Sequence, residues 1–241
     1  VSETLDAMAD GGMYDHLGGG FHRYATDRDW TVPHFEKMLY DNAELTRCYL
    51  AGYQLTGRER YRAVARGTLA FVSDELTHAD GGFFSTLDAR SETPAGESEE
   101  GAYYVWTPAQ VAAAMDAHLP PDVDPDRATT LFCDRYGVTE SGNFEGATVL
   151  TLATGIDDLA AAHDLTEETV ADTLRAAEAA ARGARSERAR PRRDEKVLAG
   201  WNGLMISAFA TASLTLDAAH SERAAAALSF VRDHLWDASS R

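Results

Sequence analysis

Two stretches of helical periodicity, each of them doubled, set the tightest limit on what this chain can fold into. Over residues 34–55 the apolar positions Phe35, Met38, Leu45, Tyr49 and Tyr53 fall in one narrow arc of a helical wheel, with Asn42 among them. Gly57 stops that helix, and a second follows at once with Tyr61, Val64, Ala65, Thr68, Phe71, Val72 and Leu76 at three- and four-residue spacing. The pair predicts an antiparallel αα-hairpin. The arrangement recurs at 202–216, apolar nearly all round, and at 222–236, amphipathic through Leu228, Val231 and Leu235. A helix buried on every side, followed by one with a single wet face, predicts an inner and an outer ring of helices.

Between these pairs the pattern changes. Short aromatic runs at 80–87 and 101–106 are bounded by turn residues, and 89–100 between them is polar with Pro94 and Gly96, so a β-hairpin insertion with a long exposed tip is predicted over 80–106. Tyr103, Tyr104 and Trp106 would alternate along its second strand, one face toward a cleft and the other toward the core. Thr107-Pro108 starts a helix that runs to about His118, others follow at 126–136 and 166–185, and 143–152 has the makings of a short strand. A basic linker at 186–193 closes this part, with Pro191 ending any helix. The fold class is therefore mainly α. Residues 1–9 look like the tail of a helix without a cap, as in a piece of a longer protein whose missing segments would be its first partners.

Residues 11–42 are where a site is expected. They hold three histidines (His16, His22, His34) and five glycines among acidic and aromatic side chains. Glycine gives up backbone entropy where positive φ or close approach is required, and Phe21, Arg23, Tyr24 and Trp30 supply the usual lining of a small-molecule pocket. The competing reading is a long structured loop whose polar groups cap neighbouring helices.

Composition narrows the partners. The net charge of −17 rests on 39 Asp and Glu against 20 Arg and only two lysines, Lys37 and Lys196. Such a surface repels itself at low ionic strength and is tolerable where salt screens it, which points to a salt-rich, halophilic cytoplasm, with a GC-rich mesophile as the alternative. No basic face exists to neutralise phosphates, so nucleic acid is not an expected partner. No apolar run approaches a membrane span, so neither is the membrane. Cys48 and Cys133 form no CxxC pair, and Cys48 is expected as a small buried hydrophobe.

Three motifs, GGMYDHLGGGFHRYATDRDWTVPHFEKMLYDNA, EGAYYVWT and DEKVLAGWNGLMI, resemble the thioredoxin-domain-containing family that includes spermatogenesis-associated proteins. The resemblance covers nearly the whole chain. It implies that residues 1–241 are part of an (α/α)6 toroid similar to N-acylglucosamine 2-epimerases and six-hairpin glycosidases, without the family's thioredoxin-like domain, whose redox chemistry does not carry over. It further implies a carbohydrate-directed cleft at one end of the toroid, built from the first loop and the segment 194–202.

The residues offer three chemistries for such a cleft. On a continuous helix His34, Lys37 and Asp41 would share one edge, giving a base, a cation and a carboxylate. An epimerase acting next to a carbonyl needs one group to take a proton and another to return it, roles open to His34 with His22 or His16, while Arg23 or Lys37 steadies the enolate. Tyr24, Trp30, Glu36, Tyr40, Tyr103, Trp106, Asp194, Lys196, Trp201 and Asn202 are the expected substrate-binding set, with Trp201 stacking on a sugar ring. A glycoside hydrolase would instead need two carboxylates from among Asp15, Asp27, Glu36, Asp41 and Asp194. A non-catalytic toroid binding a sugar, peptide or partner protein is the third reading. His16, His22, His34 and Glu36 match no tight metal spacing, so no metal and no cofactor are expected.

Overall fold

The computed structural model describes residues 1–237 and 239, and over them the fold is mainly helical with small antiparallel sheets. Helix α1 (Ser2–Asp10) leads into a long loop that carries the two-residue pair β1 (Tyr24–Ala25) and β2 (Pro33–His34), then β3 (Lys37–Met38). Helices α2 (Leu39–Thr56) and α3 (Glu59–Glu75) form the predicted hairpin, and Gly57 ends α2 in the left-handed region at φ 69°. Next come β4 (Thr86–Leu87) and a true hairpin, β5 (Arg90–Glu92) with β6 (Ser98–Glu100). Helices α4 (Pro108–His118), α5 (Pro125–Tyr136), α6 (Ile156–His163) and α7 (Glu167–Ser186) follow. Strand β7 (Arg193–Asp194) leads to α8 (Ala199–Thr215) and α9 (His220–Phe230), which runs on into a π-helical turn, Val231–Leu235.

Helix α2 packs against α8, with α3 beside α2 and α9 beside α8. Their shared core holds Tyr49, Leu50, Tyr61, Leu69, Met205, Phe209 and Ala227, all essentially out of water. A second core under α4, α5 and α7 is built on Trp106, Val111, Met115, Phe132 and Ala181. No helix among the described residues is long and apolar enough to cross a membrane.

The two helix pairs repeat one local design. Asn42, the fourth residue of α2, accepts from Phe21 N (2.7 Å) and donates to Phe21 O (3.0 Å) and Met38 O (2.9 Å). Asn202, the fourth residue of α8, accepts from Phe83 N (2.8 Å) and donates to Phe83 O (3.0 Å) and Leu198 O (3.1 Å). Seven residues on from each Asn an aromatic ring stacks on the clamped Phe, Tyr49 on Phe21 at 5.3 Å and Phe209 on Phe83 at 5.5 Å. Each Phe is preceded by glycine pressed on a ring of the second helix of its pair: a Cβ on Gly20 would lie 2.4 Å from Phe71 of α3, and one on Gly82 2.6 Å from Phe230 of α9. Asn42→Ala or Asn202→Ala is expected to cost about 2–4 kcal/mol, because a buried N–H and C=O each lose their partner. Urea unfolding of the two variants checks this.

Several local expectations are corrected. The helix expected from His34 starts at Leu39, because β3 pairs with β4 (Lys37 opposite Leu87) and β4 with β7 (Thr86 opposite Asp194). Residues 101–106 form a turn rather than a strand, with Gly101 at φ 75° and its Cα against the Phe35 ring; the hairpin lies in the stretch taken as its tip. Residues 143–152 make only isolated bridges, and α6 is an additional helix. Helix α8 is not buried all round: it faces α2 and α9, while Leu214 stands 90% exposed on the far side. Cys48 is exposed.

Candidate functional site

Where β3, β4 and β7 run side by side, the loops before α2 and α8 enclose a cleft of about 640 Å³ lined by Glu36, Thr86, Arg193, Asp194 and Lys196 among others. The short sheet explains why these residues meet. It joins segments more than 150 residues apart in the chain, and its strands present alternate side chains to alternate faces.

His34 sits beside this cleft at the end of β2. Its Nδ1 is 2.7 Å from Glu100 Oε1 and its Nε2 3.6 Å from Glu36 Oε2, while Tyr24 stacks on the ring at 5.1 Å. A carboxylate only accepts, so the Glu100 bond makes Nδ1 a donor, and Nε2 lies on the Glu36 side. Arg23 donates to Glu36 at 3.2 Å and also bonds Tyr40. Asp41, in the first turn of α2, has one buried oxygen without a partner among the described residues, and burial pushes its carboxyl up to about 6 against the pull of Arg23. The Tyr40 and Trp201 rings meet at 4.8 Å, joining the first turns of α2 and α8. Lys196 pairs with Asp194 at 2.9 Å on the exposed rim.

Seven other expected residues lie elsewhere. His22 is buried, its Nδ1 on Phe35 O at 2.9 Å and its edge on Tyr104 at 4.6 Å; burial drives its pKa down to about 3. His16 bonds Gly11 O at 3.0 Å and is likewise driven down, to about 4. Lys37 points inward from β3 to Asp15, so it does not share an edge with His34 and Asp41. Trp106 is a core ring covered by Arg188 at 4.0 Å, Trp30 packs on the first core from a left-handed φ of 61°, and Asn202 is wholly engaged with backbone. Tyr103 lines a different cleft. Among the carboxylates, Asp27 is held by the N–H groups of Asp29, Thr31 and Val32 at 2.6–3.1 Å. Sequence reasoning missed Glu100, whose only signal was its place at the head of the EGAYYVWT motif, and also Thr86 and Arg193 of the cleft lining.

The buried imidazole of His22 fixes a pH dependence. Its folded pKa lies below the unfolded value, so the unfolded chain binds the proton first and stability falls as pH drops from 6.5 toward 3. Between pH 7 and pH 5 the loss from His22 is expected to be about 2 kcal/mol, at 1.36 kcal/mol per unit. Asp41 acts oppositely, its raised pKa adding stability as pH falls through 6. Denaturant unfolding of parent and Asp41→Asn at the two pH values isolates the Asp41 contribution, the remaining loss being shared by His22 and His16, which burial draws down to about 4.

Fold and site define a class: a mainly α protein of paired helices, with a cleft lined by acidic and basic side chains near the first turns of α2 and α8, which the Tyr40–Trp201 ring contact joins. No protein-family model matches the chain. Spermatogenesis-associated protein 20 of Homo sapiens is 40% identical over 249 residues, 98% of this chain and 32% of that protein. An uncharacterized protein of Caenorhabditis elegans is 28% identical over 252 residues, 98% of this chain and 34% of its own length. The chain thus spans about a third of the length of these curated relatives. Cellobiose 2-epimerase of Bacteroides fragilis is 31% identical over 81 residues, 33% of this chain and 21% of that enzyme.

Proposed function

We propose that the chain is part of a toroid-type domain whose cleft acts on a reducing sugar by proton transfer at the carbon beside the carbonyl, as an epimerase does. The observation that carries this reading is His34, a ring oriented by Glu100 through Nδ1 with Nε2 turned toward the cleft side. Nε2 would take the proton from the sugar C2, and the electrons of the C2–H bond would pass to the carbonyl oxygen. Arg23, paired with Glu36 beside His34, would stabilise the enolate, and Asp41, holding its proton near pH 6, would return one to the opposite face. Trp201 and Tyr40 would stack on the ring. The repeated design of α2/α3 and α8/α9 and the partial similarity to cellobiose 2-epimerase support the toroid.

The raised Asp41 carboxyl also favours a second reading, glycoside hydrolysis with Asp41 as general acid. Product analysis separates the two, since hydrolysis yields monosaccharides and epimerisation a disaccharide.

The first test is thermal unfolding of the full-length protein in potassium chloride against mono-, di- and amino sugars. A ligand bound only by the native state raises stability by RT ln(1 + [L]/Kd). A shift with one sugar class, lost on Trp201→Ala, is the expected result. No shift across the panel would favour a non-catalytic, partner-binding domain.

A further inference from the structure

Glu36 and Lys37 are neighbours in sequence that serve opposite sides of β3. Glu36 faces the cleft above, whereas Lys37 turns into a recess of about 30 Å³ that it shares with Asp15, Tyr103, Tyr104 and Arg185. The recess adjoins a separate cleft of about 540 Å³ between the loop around Gly18, α3 and α7, the two sharing Gly18, Phe71, Glu75, Tyr103, Arg185 and Arg190.

The recess is rich in donors and short of an acceptor. Lys37 Nζ gives one N–H to Asp15 Oδ2 (2.7 Å) and one to Gly19 O (2.8 Å), and an ammonium has three. Arg185 gives Nη1 to Asp15 Oδ1 at 2.7 Å. Tyr104 is 6% exposed, and its hydroxyl is buried without a partner among the described residues. Asp15 is already heavily engaged, Oδ1 taking the N–H groups of Leu17 and Gly18 and Arg185 Nη1, and Oδ2 taking Lys37 Nζ, and Glu75 at the rim is paired with Arg190. Gly18 keeps the space open, because a Cβ there would lie 2.3 Å from Arg185 Nη2. Around recess and cleft, four cations (Lys37, Arg182, Arg185, Arg190) face three carboxylates (Asp15, Asp74, Glu75), a local excess of one positive charge in a chain of net −17.

We propose that recess and cleft form a binding site for a small oxyanion-bearing ligand, one phosphate or carboxylate oxygen accepting from Tyr104 Oη and Lys37 Nζ, with the ligand body lying in the cleft beside Arg185, Tyr14 and His16. The recess has room for about one oxygen-sized group, so an oxygen enters it and the rest of the anion stays in the wider cleft. The site is independent of the sugar-directed reading, since none of these groups touches His34.

Calorimetric titration of the full-length protein with inorganic phosphate and with acetate, at ionic strength held constant with potassium chloride, tests it. Saturable binding of either anion supports the site, phosphate preference identifying a phosphate ester and acetate preference a carboxylate. Tyr104→Phe, which keeps the ring and removes the unpaired hydroxyl, should weaken binding about tenfold while the unliganded variant stays as stable as the parent. Arg182→Gln, on the exposed wall, should weaken it about threefold by lost charge attraction. His34→Ala should leave anion binding unchanged. No saturable heat in the parent above the chloride background, or equal affinity in parent and Tyr104→Phe, would overturn the proposal.

Discussion

Asp15→Asn is expected to destabilise the protein by about 3–5 kcal/mol, the usual penalty for leaving buried charge without its partner. Among the described residues Asp15 is the only carboxylate bonded to both Lys37 and Arg185, each at 2.7 Å, and all three side chains are buried. The two cations hold its carboxyl well below the ordinary range despite burial, so its contribution is present above the unfolded pKa and is lost as pH falls through the folded one. An asparagine keeps the shape and the acceptor but leaves two positive charges in the interior. Lys37 offers the easiest relief, because burial already draws it down to about 8 and without Asp15 it sheds its proton more readily. A lysine whose folded pKa is depressed gains stability as pH rises, so the gap between variant and parent should narrow from pH 7 to pH 8. Lys37→Met should cost less, since Asp15 would retain Arg185 and two backbone N–H groups. Urea unfolding of the three proteins at both pH values measures the series.

On the proposed reading, His34→Gln is expected to slow proton transfer about 10²–10⁴-fold, the usual worth of a positioned general base. Its effect on stability should stay within about 1 kcal/mol, because the ring is partly exposed and its hydrogen bond to Glu100 is at the surface. Glu100→Gln should lower the rate less, since the amide still bonds Nδ1 but no longer stabilises the charged ring. A loss of rate without loss of fold would separate His34 from the buried histidines, whose replacement perturbs packing.

Much of the helical framework was legible in sequence, and the reason is local. The 34–55 and 61–76 patterns, the Gly57 stop and the Thr107-Pro108 start each act within a few turns, and α3, α4 and α7 fall where periodicity and caps put them. Of the residues expected at a cleft, Glu36, Asp194 and Lys196 line the candidate one, Arg23 and His34 lie against Glu36, and Tyr40 meets Trp201 at the first turns of α2 and α8. What failed was non-local. The sequence around Lys37 has helical spacing, yet strand pairing with Thr86–Leu87 extends it, which turns Lys37 away from His34 and inward to Asp15. Glu100 reaches His34 across 66 residues and Arg185 reaches Asp15 across 170, contacts that no periodicity encodes. The glycine-Phe and Asn-aromatic repeat was visible in the residues, but its meaning comes only when each Asn is seen clamping a Phe backbone.

The most direct test of the central claim is exchange at the sugar C2. The full-length protein is incubated with cellobiose in deuterium oxide, and the C2 proton is followed by NMR in the parent and in His34→Gln. Deuterium entering C2 with the parent, and the signal persisting with the folded variant, is the result expected if His34 is the base. A C2 proton that survives in the parent under conditions where the protein is folded, or that is lost equally fast in the variant, would contradict it.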